Sequence, residues 1–489
     1  MNKVLFVCSE AYPLIKTGGL ADVAGSLPHA LIKQNQDVRL LLPAYPGALK
    51  KAYNPKLIDE QVHYGQNVQL LETRLPDSPV TIWLVNCPAA FDRPGTPYLD
   101  HNGKEWHDNA FRFALFSQVA TNIAMGFGQL SWQPDVVHCN DWQSGLVPAL
   151  LSVHKKRPAT IFTIHNLSYQ GVFHKITFDD LQLPAELWST YALETRDQFS
   201  FIKGGLICAD RITAVSPTYA KEIQEPEFGC GLDPLLKYRK DKLSGILNGI
   251  DTDVWNPDTD TCLKQKYNKY SLDKKIKNKT DLQVQMGLPE IPDVPLLGMV
   301  GRLVEQKGVD TILGALPSLL QLPLQVIIIG TGEPHFATRL IQLAEQFPDK
   351  LKVIIGYNEC LSHQIEGSSD IYLMPSKFEP CGLTQLYSLR YGTIPIVRNV
   401  GGLADTVTNA TELNIENHTA TGFYIPDNNP GSLVSSVQSA LKLYQDPIVW
   451  RQLQINAMSQ DFSWEKSAEK YIALYNECIK EANDIQGGL

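Results

Sequence analysis

The stretch KVLFVCSEAYPLIKTGGLADVAGSLPHALIK, residues 3–33, decides how the rest of the chain is interpreted. Residues 3–7 are mostly apolar, which predicts a buried strand, and residues 20–33 have the apolar spacing of a helix. A Gly-Gly turn lies between them. A strand, a glycine turn and a helix in this order are typical of the start of a parallel α/β sheet.

The same alternation of strands and helices continues along the chain and then restarts. We predict further strands at residues 38–42, 135–138, 160–164 and 211–215, and in a second series at 295–300, 324–329, 351–355, 370–373 and 394–397. Continuous apolar strands separated by helices predict parallel sheets that are covered on both faces. The fold class is therefore α/β, with two Rossmann-like, doubly wound domains facing a central cleft.

The domain boundary is predicted in a turn-rich stretch at about residues 245–260. This gives a first domain of residues 1–245 and a second of residues 246–464. The lysine-rich residues 264–279 that follow are placed on a solvated surface.

Composition restricts the class of function. The chain has 489 residues, 44% of them hydrophobic, which is enough for more than one core. Its net charge of −9 disfavours general binding to nucleic acid. No apolar run reaches the about 18 residues of a membrane helix, and the N-terminus lacks a signal- or transit-peptide pattern. The nine cysteines show no Cys-x-x-Cys spacing, which predicts reduced thiols and a cytoplasmic protein.

Two predicted loops carry cations beside strand ends. Lys16 precedes Gly18 and Gly19, whose amides can approach an anion at the start of a helix. Arg302 and Lys307 lie one short loop apart, where they would hold a diphosphate as a glycosyl bond breaks. The alternative for the first loop is a tight turn without a ligand, and the alternative for the second is a pair of exposed surface cations.

A third loop, SKFEPCGLT at residues 376–384, suits a sugar. Glu379 can accept hydrogen bonds from sugar hydroxyls, and the amides from Cys381 to Thr384 can form a second anion site. The alternative is an ordinary helix cap.

Two strand ends of the first half also carry polar side chains. Asp141 and His165 stand there, with Trp142 and Asn166 beside them. Carboxylates and amides bind hydroxyls, and an aromatic face can stack on a pyranose ring. A lone histidine is otherwise more often structural.

We expect no metal ion. The chain has no His-x-x-x-His pair, and its Asp-x-Asp sequences at residues 251–253 and 258–260 lie in the predicted hinge. Two cations near a diphosphate would make a metal redundant as the charge neutraliser.

Seven motifs together closely resemble bacterial glycogen synthases and plant starch synthases. They are KTGGLADV (16–23), HCNDW (138–142), TIHN (163–166), NGID (248–251), GRLVEQKG (301–308), FEPCGLTQLY (378–387) and GGLADTV (401–407). The resemblance implies a glycosyltransferase-B fold in which a C-terminal helix, residues 465–489, crosses back to the first domain. It also implies transfer of glucose from ADP-glucose to the non-reducing 4-hydroxyl of an α-1,4-glucan, with retention of configuration. ADP-glucose would be a substrate, so no cofactor is implied.

The resemblance also assigns roles residue by residue. The implied catalytic residues are His165, Asp141, Arg302, Lys307 and Glu379. The implied ADP-glucose-binding residues are Lys16, Gly18, Gly19, Asn166, Tyr357 (over the adenine), Cys381, Gly382, Leu383 and Thr384. The candidates on the acceptor side are Glu10 and Trp142. Tyr387 stands where the wider retaining superfamily has a second glutamate, and the glycogen and starch synthases share that tyrosine.

Three alternatives stay open at this point. The first is a synthase of the same fold that uses UDP-glucose or makes a disaccharide. The second is a nucleotide-dependent oxidoreductase, although His335 replaces the third glycine of the fingerprint that begins at Gly330. The third is a glucan-binding protein without activity. The sequence makes no prediction about oligomeric state.

Overall fold

The computed structural model describes the backbone of residues 1–487 and the side chains as far as residue 484. The chain forms two compact units, and each is described by itself. Unit 1 comprises Met1–Gly249 and the chain from Trp464 onward, and unit 2 comprises Ile250–Ser463. None of the helices within residues 1–487 combines the length and apolar character that crossing a bilayer requires.

Unit 1 is built on a large sheet that is parallel except for an outer hairpin. Its strands and those of a small second sheet are β1 (Lys3–Val7), β2 (Asp37–Pro43), β3 (Lys56–His63), β4 (Gln66–Arg74), β5 (Thr81–Asn86), β6 (Val136–Asn140), β7 (Ala159–Ile164), β8 (Val172–His174), β9 (Glu194–Thr195), β10 (Gln198–Ser200), β11 (Arg211–Ala214) and β12 (Leu243–Gly245). The large sheet has the order β12-β11-β7-β6-β1-β2-β5-β4-β3. Its central strands are buried on both faces, as expected for apolar strands between helices.

Helices follow most of the parallel strands of unit 1. They are α1 (Gly19–Lys33), α2 (Pro46–Lys51), α3 (Pro88–Phe91), α4 (Asn109–Met125), α5 (Leu146–Ser152), α6 (Lys175–Asp180), α7 (Phe201–Cys208), α8 (Pro217–Glu222) and α9 (Asp233–Tyr238). In α1, the buried residues include Leu20, Val23, Leu27 and Leu31, which recur at helical spacing and form the face that packs inward.

Unit 2 contains a wholly parallel sheet. Its elements are α10 (Lys275–Gln285), β13 (Leu296–Val300), α11 (Val309–Leu319), β14 (Gln325–Gly330), α12 (Pro334–Gln346), β15 (Leu351–Ile355), α13 (Glu359–Ser368), β16 (Ile371–Met374), α14 (Thr384–Arg390), β17 (Ile394–Arg398), α15 (Gly401–Thr406), α16 (Glu412–Glu416), β18 (Phe423–Ile425), α17 (Pro430–Tyr444) and α18 (Pro447–Met458). The strand order is β15-β14-β13-β16-β17-β18, which is the order of a dinucleotide-binding fold.

The last helix, α19 (Trp464–Gly487), belongs to unit 1. It lies beneath the central strands, where the hydroxyl of Tyr475 is 2.8 Å from Nδ1 of the buried His138. Arg211 of β11 forms ion pairs with Glu477 and Glu481 of the helix. Polar contacts therefore fix the helix against the sheet in addition to its apolar face.

The predicted solvated surface for the lysine run is wrong for two of its members. Lys275 and Lys279 of α10 are only 5% and 1% exposed. The ammonium of Lys275 donates to the Gly367 carbonyl at 3.0 Å and to the Thr393 hydroxyl at 2.8 Å, and Lys279 pairs with Asp370 at 2.7 Å. A lysine run in a sequence cannot reveal which members find buried acceptors in a distant segment.

The prediction that all thiols are reduced is also wrong. Cys262 and Cys360 form a disulfide within unit 2, although 98 positions separate them in the sequence. Cys262 precedes α10 and Cys360 lies in the first turn of α13. The packing of these two segments brings the sulfurs together. A disulfide between such distant cysteines cannot be predicted from cysteine spacing in the sequence.

Candidate active site

The predicted site residues lie where ligands bind in sheets of this kind. In an open parallel sheet, ligands bind at the carboxyl ends of the strands, at the point where the strand order reverses. That point lies between β1 and β6 in unit 1 and between β13 and β16 in unit 2. The predicted loops follow these four strands. His165 follows β7, which is the neighbour of β6 in the sheet.

Glu10 organises the loop after β1. Its buried carboxylate accepts hydrogen bonds from the Thr17 amide at 2.5 Å, the Thr17 hydroxyl at 2.6 Å and the Gly18 amide at 3.2 Å. The hydroxyl of Tyr98 donates to the same carboxylate at 2.5 Å. Glu10, predicted on the acceptor side, is thus engaged by its own loop. The Gly18 amide, predicted to approach the substrate, points instead at Glu10.

Lys16 is also engaged within its own motif. Its ammonium lies 2.7 Å from the carboxylate of Asp22 in the first turn of α1. Gly19 is the first residue of that helix. The predicted cation is therefore present at the strand end, with a carboxylate as its partner.

Asp141 is a strained and buried turn residue. Its backbone has φ +56° and ψ 179°, a combination that costs a residue other than glycine roughly 1–3 kcal/mol. Its carboxylate accepts from the backbone amides of His165 at 2.7 Å and Asn166 at 3.3 Å. Burial raises the pKa of this carboxyl to about 7, and the two amides only partly oppose the effect. Asp141 therefore holds the turn after β7 in place.

The His165 ring is held from β6. Its Nε2 lies 3.0 Å from the side-chain oxygen of Asn140. Burial lowers the pKa of His165 to about 3, so the ring is neutral at physiological pH. The side-chain oxygen of Asn166 accepts from the amide and hydroxyl of Ser168, at 3.1 and 2.6 Å.

The surroundings of Trp142 do not favour the predicted role on the acceptor side. The side chain is only 8% exposed, and its ring packs against Phe113, Phe173 and Phe201 with centroids 5.0, 6.1 and 6.0 Å away. A ring enclosed in this way has no free face for a sugar. Its aromatic area instead stabilises the core behind the Asp141 turn.

In unit 2, the predicted cation and the predicted carboxylate bind each other. Nζ of Lys307 lies 2.5 Å from the carboxylate of Glu379, which also accepts from the hydroxyl of Ser376 at 3.0 Å. Gly308 permits this approach, because it has φ +69° and a Cβ there would lie 2.1 Å from the Pro375 carbonyl oxygen. The loops after β13 and β16 are thus packed together.

Arg302 and Tyr357 are more open to solvent. The guanidinium of Arg302 donates to Gln306 at 3.3 Å and forms no ion pair with any residue in the described part of the chain. Tyr357 follows β15 and its side chain is 64% exposed. The predicted cover for an adenine is therefore a surface ring beside the sheet edge.

The remaining predicted residues form the turn that enters α14. Cys381 is buried and its carbonyl is contacted by Gly402, where a Cβ would approach the oxygen to 2.1 Å. Gly382 has φ +73°, which favours glycine, and Leu383 precedes the helix. Thr384 begins α14 and its hydroxyl contacts the Met374 sulfur at 3.4 Å.

Sequence reasoning assigned no role to four residues that hold these groups. They are Asn140, Asp22, Ser376 and Tyr98, which contact His165, Lys16, Glu379 and Glu10. The first three lie within the motifs that the sequence analysis quotes, and this location was the sequence signal that could have identified them. Tyr98 lies in a long irregular segment and gave none. Across residues 1–487, no three His, Cys, Asp or Glu side chains converge as a metal ion would require.

The chain is similar to two protein families along its length. Residues 3–238 match the starch synthase catalytic domain, and residues 287–454 match the glycosyl transferases group 1. Two of the curated relatives are a glycogen synthase 1 from Methylococcus capsulatus, 53% identical over 98% of this chain and 97% of the relative, and a glycogen synthase from Cellvibrio japonicus, 54% identical over 97% and 99%.

Solved structures agree with this similarity. The catalytic domain of starch synthase IV from Arabidopsis thaliana, bound to ADP and acarbose, superposes with a TM-score of 0.89 at 32% identity, covering 98% of this chain and 99% of that one. Sucrose-phosphate synthase from Thermosynechococcus elongatus, with a TM-score of 0.60 at 17% identity, shares the fold alone. From the strand-end residues, the strand order and this similarity over nearly its full length, we conclude that the chain belongs to the glycogen and starch synthase family of glycosyltransferases.

Proposed function

We propose that the protein is a glycogen synthase that transfers glucose from ADP-glucose to the non-reducing 4-hydroxyl of an α-1,4-glucan, with retention of configuration. The observation that carries this proposal is the similarity to bacterial glycogen synthases over 98% of the chain. The ADP in the related starch synthase supports an adenine nucleotide as the leaving group.

The contacts of unit 2 suit the proposed donor. Arg302 and Lys307 would bind the diphosphate, and Glu379 would accept hydrogen bonds from the transferred glucose. In the structure, Lys307 and Glu379 neutralise each other at 2.5 Å. A diphosphate and a sugar would therefore replace an existing ion pair with two charge-assisted contacts, one for each member.

Unit 1 would bind the reacting sugar. Lys16 would contribute positive charge and the turn of His165 and Asn166, held by Asp141, would position the glucose. Because the turn is fixed by two backbone hydrogen bonds to one buried carboxylate, its geometry is set before any substrate binds. Such preorganisation lowers the cost of reaching the transition state.

The proposed chemistry is a front-side displacement. The bond between the anomeric carbon and the phosphate oxygen breaks, while the acceptor 4-oxygen bonds to the same face of that carbon. The acceptor hydroxyl proton passes to the leaving phosphate, whose charge Arg302 and Lys307 would stabilise. Tyr387 occupies the position of a second carboxylate in the Glu379 motif, so that position supplies no carboxylate base.

We propose that no metal ion takes part, because two cations already serve the diphosphate. Activity that persists in the presence of a strong chelator would support this, and activity restored only by a divalent cation would contradict it. A cytoplasmic location belongs to the same proposal and can be checked by cell fractionation.

The decisive experiment measures glucose incorporation into glycogen from ADP-glucose and UDP-glucose side by side. The expected result is transfer from ADP-glucose that falls at least about 100-fold in Lys307→Ala, with the Lys352→Ala variant, an unrelated lysine on β15, as control. Transfer only from UDP-glucose would reject the donor, and no transfer from either donor would reject the proposed function.

A further inference from the structure

The side chain of Asn140 has only one orientation that satisfies its neighbours. Its amide nitrogen donates to the backbone carbonyl of Val7 at 3.1 Å and lies 3.4 Å from that of His138. All three residues are fully buried at the junction of β1 and β6. Carbonyl oxygens only accept hydrogen bonds, so a flipped amide would bring its oxygen against two acceptors. The Asn140 oxygen must therefore face away from them.

That oxygen faces the ring of His165. It lies 3.0 Å from Nε2, and because an amide oxygen can only accept, Nε2 must carry a proton. Burial keeps the ring neutral by lowering the pKa of His165 to about 3. A neutral imidazole holds a single proton, so Nδ1 is left as a bare acceptor.

Nδ1 of His165 meets no hydrogen-bond partner in the part of the chain that the structure describes. The backbone of the same residue is fixed by the 2.7 Å hydrogen bond to Asp141, so both ends of the residue are held. Asp141 accepts from the backbone of His165, and His138 interacts with His165 electrostatically. His138 is itself neutral because burial lowers its pKa to about 3. A bare ring nitrogen in this setting suits a hydroxyl donor and repels a carbonyl oxygen.

We propose that Asn140 is a positioning residue that fixes His165 in the Nε2–H tautomer, so that Nδ1 accepts a hydrogen bond from one hydroxyl of the transferred glucose. This rests on the proposed function for the identity of the ligand. The tautomer itself rests only on the contacts within unit 1 and can be tested separately.

The first test is spectroscopic and needs no substrate. Long-range proton–nitrogen correlation spectra of the full chain labelled with 15N-histidine distinguish the two tautomers, and His165→Gln identifies the signal. The expected result is a neutral ring with its proton on Nε2 down to about pH 5. A proton on Nδ1 in the unmodified protein would overturn the proposal at once, whether or not the protein transfers glucose.

Two variants of Asn140 separate positioning from folding. Asn140→Asp keeps an acceptor opposite Nε2 but turns its second oxygen toward the Val7 and His138 carbonyls, so the folding of this variant is checked first by circular dichroism. In the folded variant the carboxylate should retain the Nε2–H tautomer and favour a protonated ring. The activity of this variant should therefore fall on the acid side of the pH profile and recover as the pH rises. Asn140→Ala should let the ring exchange between tautomers. Asn86→Ala, at the end of β5 in the same sheet, is the matched control.

The second test uses four ADP-glucose analogues, each lacking one sugar hydroxyl. The unmodified protein should discriminate against several of them, because Glu379 also accepts hydrogen bonds from the glucose, and one loss of about 5–10-fold in kcat/KM should belong to the hydroxyl from which His165 accepts. Asn140→Ala should lose that discrimination for this analogue alone. Equal losses for all four analogues, or an unchanged tautomer in Asn140→Ala, would overturn the proposal. Absence of transfer from ADP-glucose itself would instead reject the proposed function and leave the spectroscopic result standing.

Discussion

Replacement of Asp141 by asparagine is expected to stabilise unit 1, and the gain should depend on pH. The carboxyl is buried, and burial raises its pKa from 3.8 to about 7. In the unfolded chain this carboxyl ionises at its ordinary pKa of 3.8. Between about pH 4 and pH 7 the folded protein therefore keeps a proton that the unfolded chain has released. The stability that the neutral carboxyl contributes is therefore complete below about pH 4 and is lost as the pH rises to about 7.

The size of the effect follows from the shift. One pKa unit corresponds to about 1.4 kcal/mol, so a shift from 3.8 to about 7 gives an upper value of about 4 kcal/mol. Asparagine keeps an oxygen for the His165 amide and carries no charge at any pH. We expect the variant and the wild type to be equally stable near pH 4, and the variant to be about 2–4 kcal/mol more stable above pH 8.

The assay must report on unit 1 alone, because two units need not unfold together. Hydrogen exchange of the amides of His165 and Asn166, which the Asp141 carboxylate holds, gives such a local free energy of opening. Asp180→Asn, at an exposed carboxylate that ends α6, is the control for the loss of one negative charge. The reasoning is refuted if protection in Asp141→Asn follows the same pH dependence as in the wild type, or if the variant is less protected at pH 8.

Three further predictions concern unit 2. Cys262→Ser, or reduction of the bond to Cys360, should lower the free energy of unfolding of unit 2 by at most about 4–5 kcal/mol, since the bridge closes a loop of 98 positions. Denaturant titrations with and without a dithiol measure this loss, and equal unfolding midpoints would contradict the prediction. Lys307→Met should lower the free energy of unfolding by about 3 kcal/mol, because it leaves the Glu379 carboxylate buried and unpaired. Adding Glu379→Gln should restore stability but not glucose transfer. A double variant as unstable as Lys307→Met alone would refute the pairing. Gly308→Ala should destabilise by at least about 1–2 kcal/mol, because of its φ of +69° and the Pro375 contact; an unchanged melting temperature would show that the loop can shift.

Most of the parallel strands were predictable because they are short, mostly apolar runs. Residues 3–7 were predicted with the bounds that the central strand β1 has in the structure, and residues 351–355 with those of β15, a mostly apolar edge strand. The sequence did not reveal β3, β4 and β5. The hairpin of β3 and β4 lies at the sheet edge, where alternation of polar and apolar residues is weak. Its turn contains Tyr64 and Gly65, both with positive φ. The usual sequence signal for such a turn is Asn-Gly or Asp-Gly, so a tyrosine at this position does not predict it.

The site was predictable to the extent that its groups follow strand ends. The order of a parallel sheet places those ends side by side, so Arg302 and Glu379 could be expected near one another from the alternation alone. What each side chain contacts could not be predicted. Trp142 illustrates the reason, since an aromatic residue after a strand is equally compatible with a sugar platform and with a core, and only the position of Phe113, Phe173 and Phe201 decides between them.

The partners of the three predicted cations suggest an order in which they act. Lys16 is paired with Asp22 at 2.7 Å and Lys307 with Glu379 at 2.5 Å, whereas Arg302 contacts only the neutral Gln306 among the residues that the structure describes. An approaching diphosphate must compete with a carboxylate for either lysine, but it meets the charge of Arg302 directly. Arg302 should therefore dominate the first electrostatic attraction of the donor, and its loss should weaken donor binding more steeply at low salt than at high salt. Lys307 would gain its new partner as the sugar takes over hydrogen bonds to Glu379, which would tie the strength of phosphate binding at Lys307 to the presence of a correctly placed glucose.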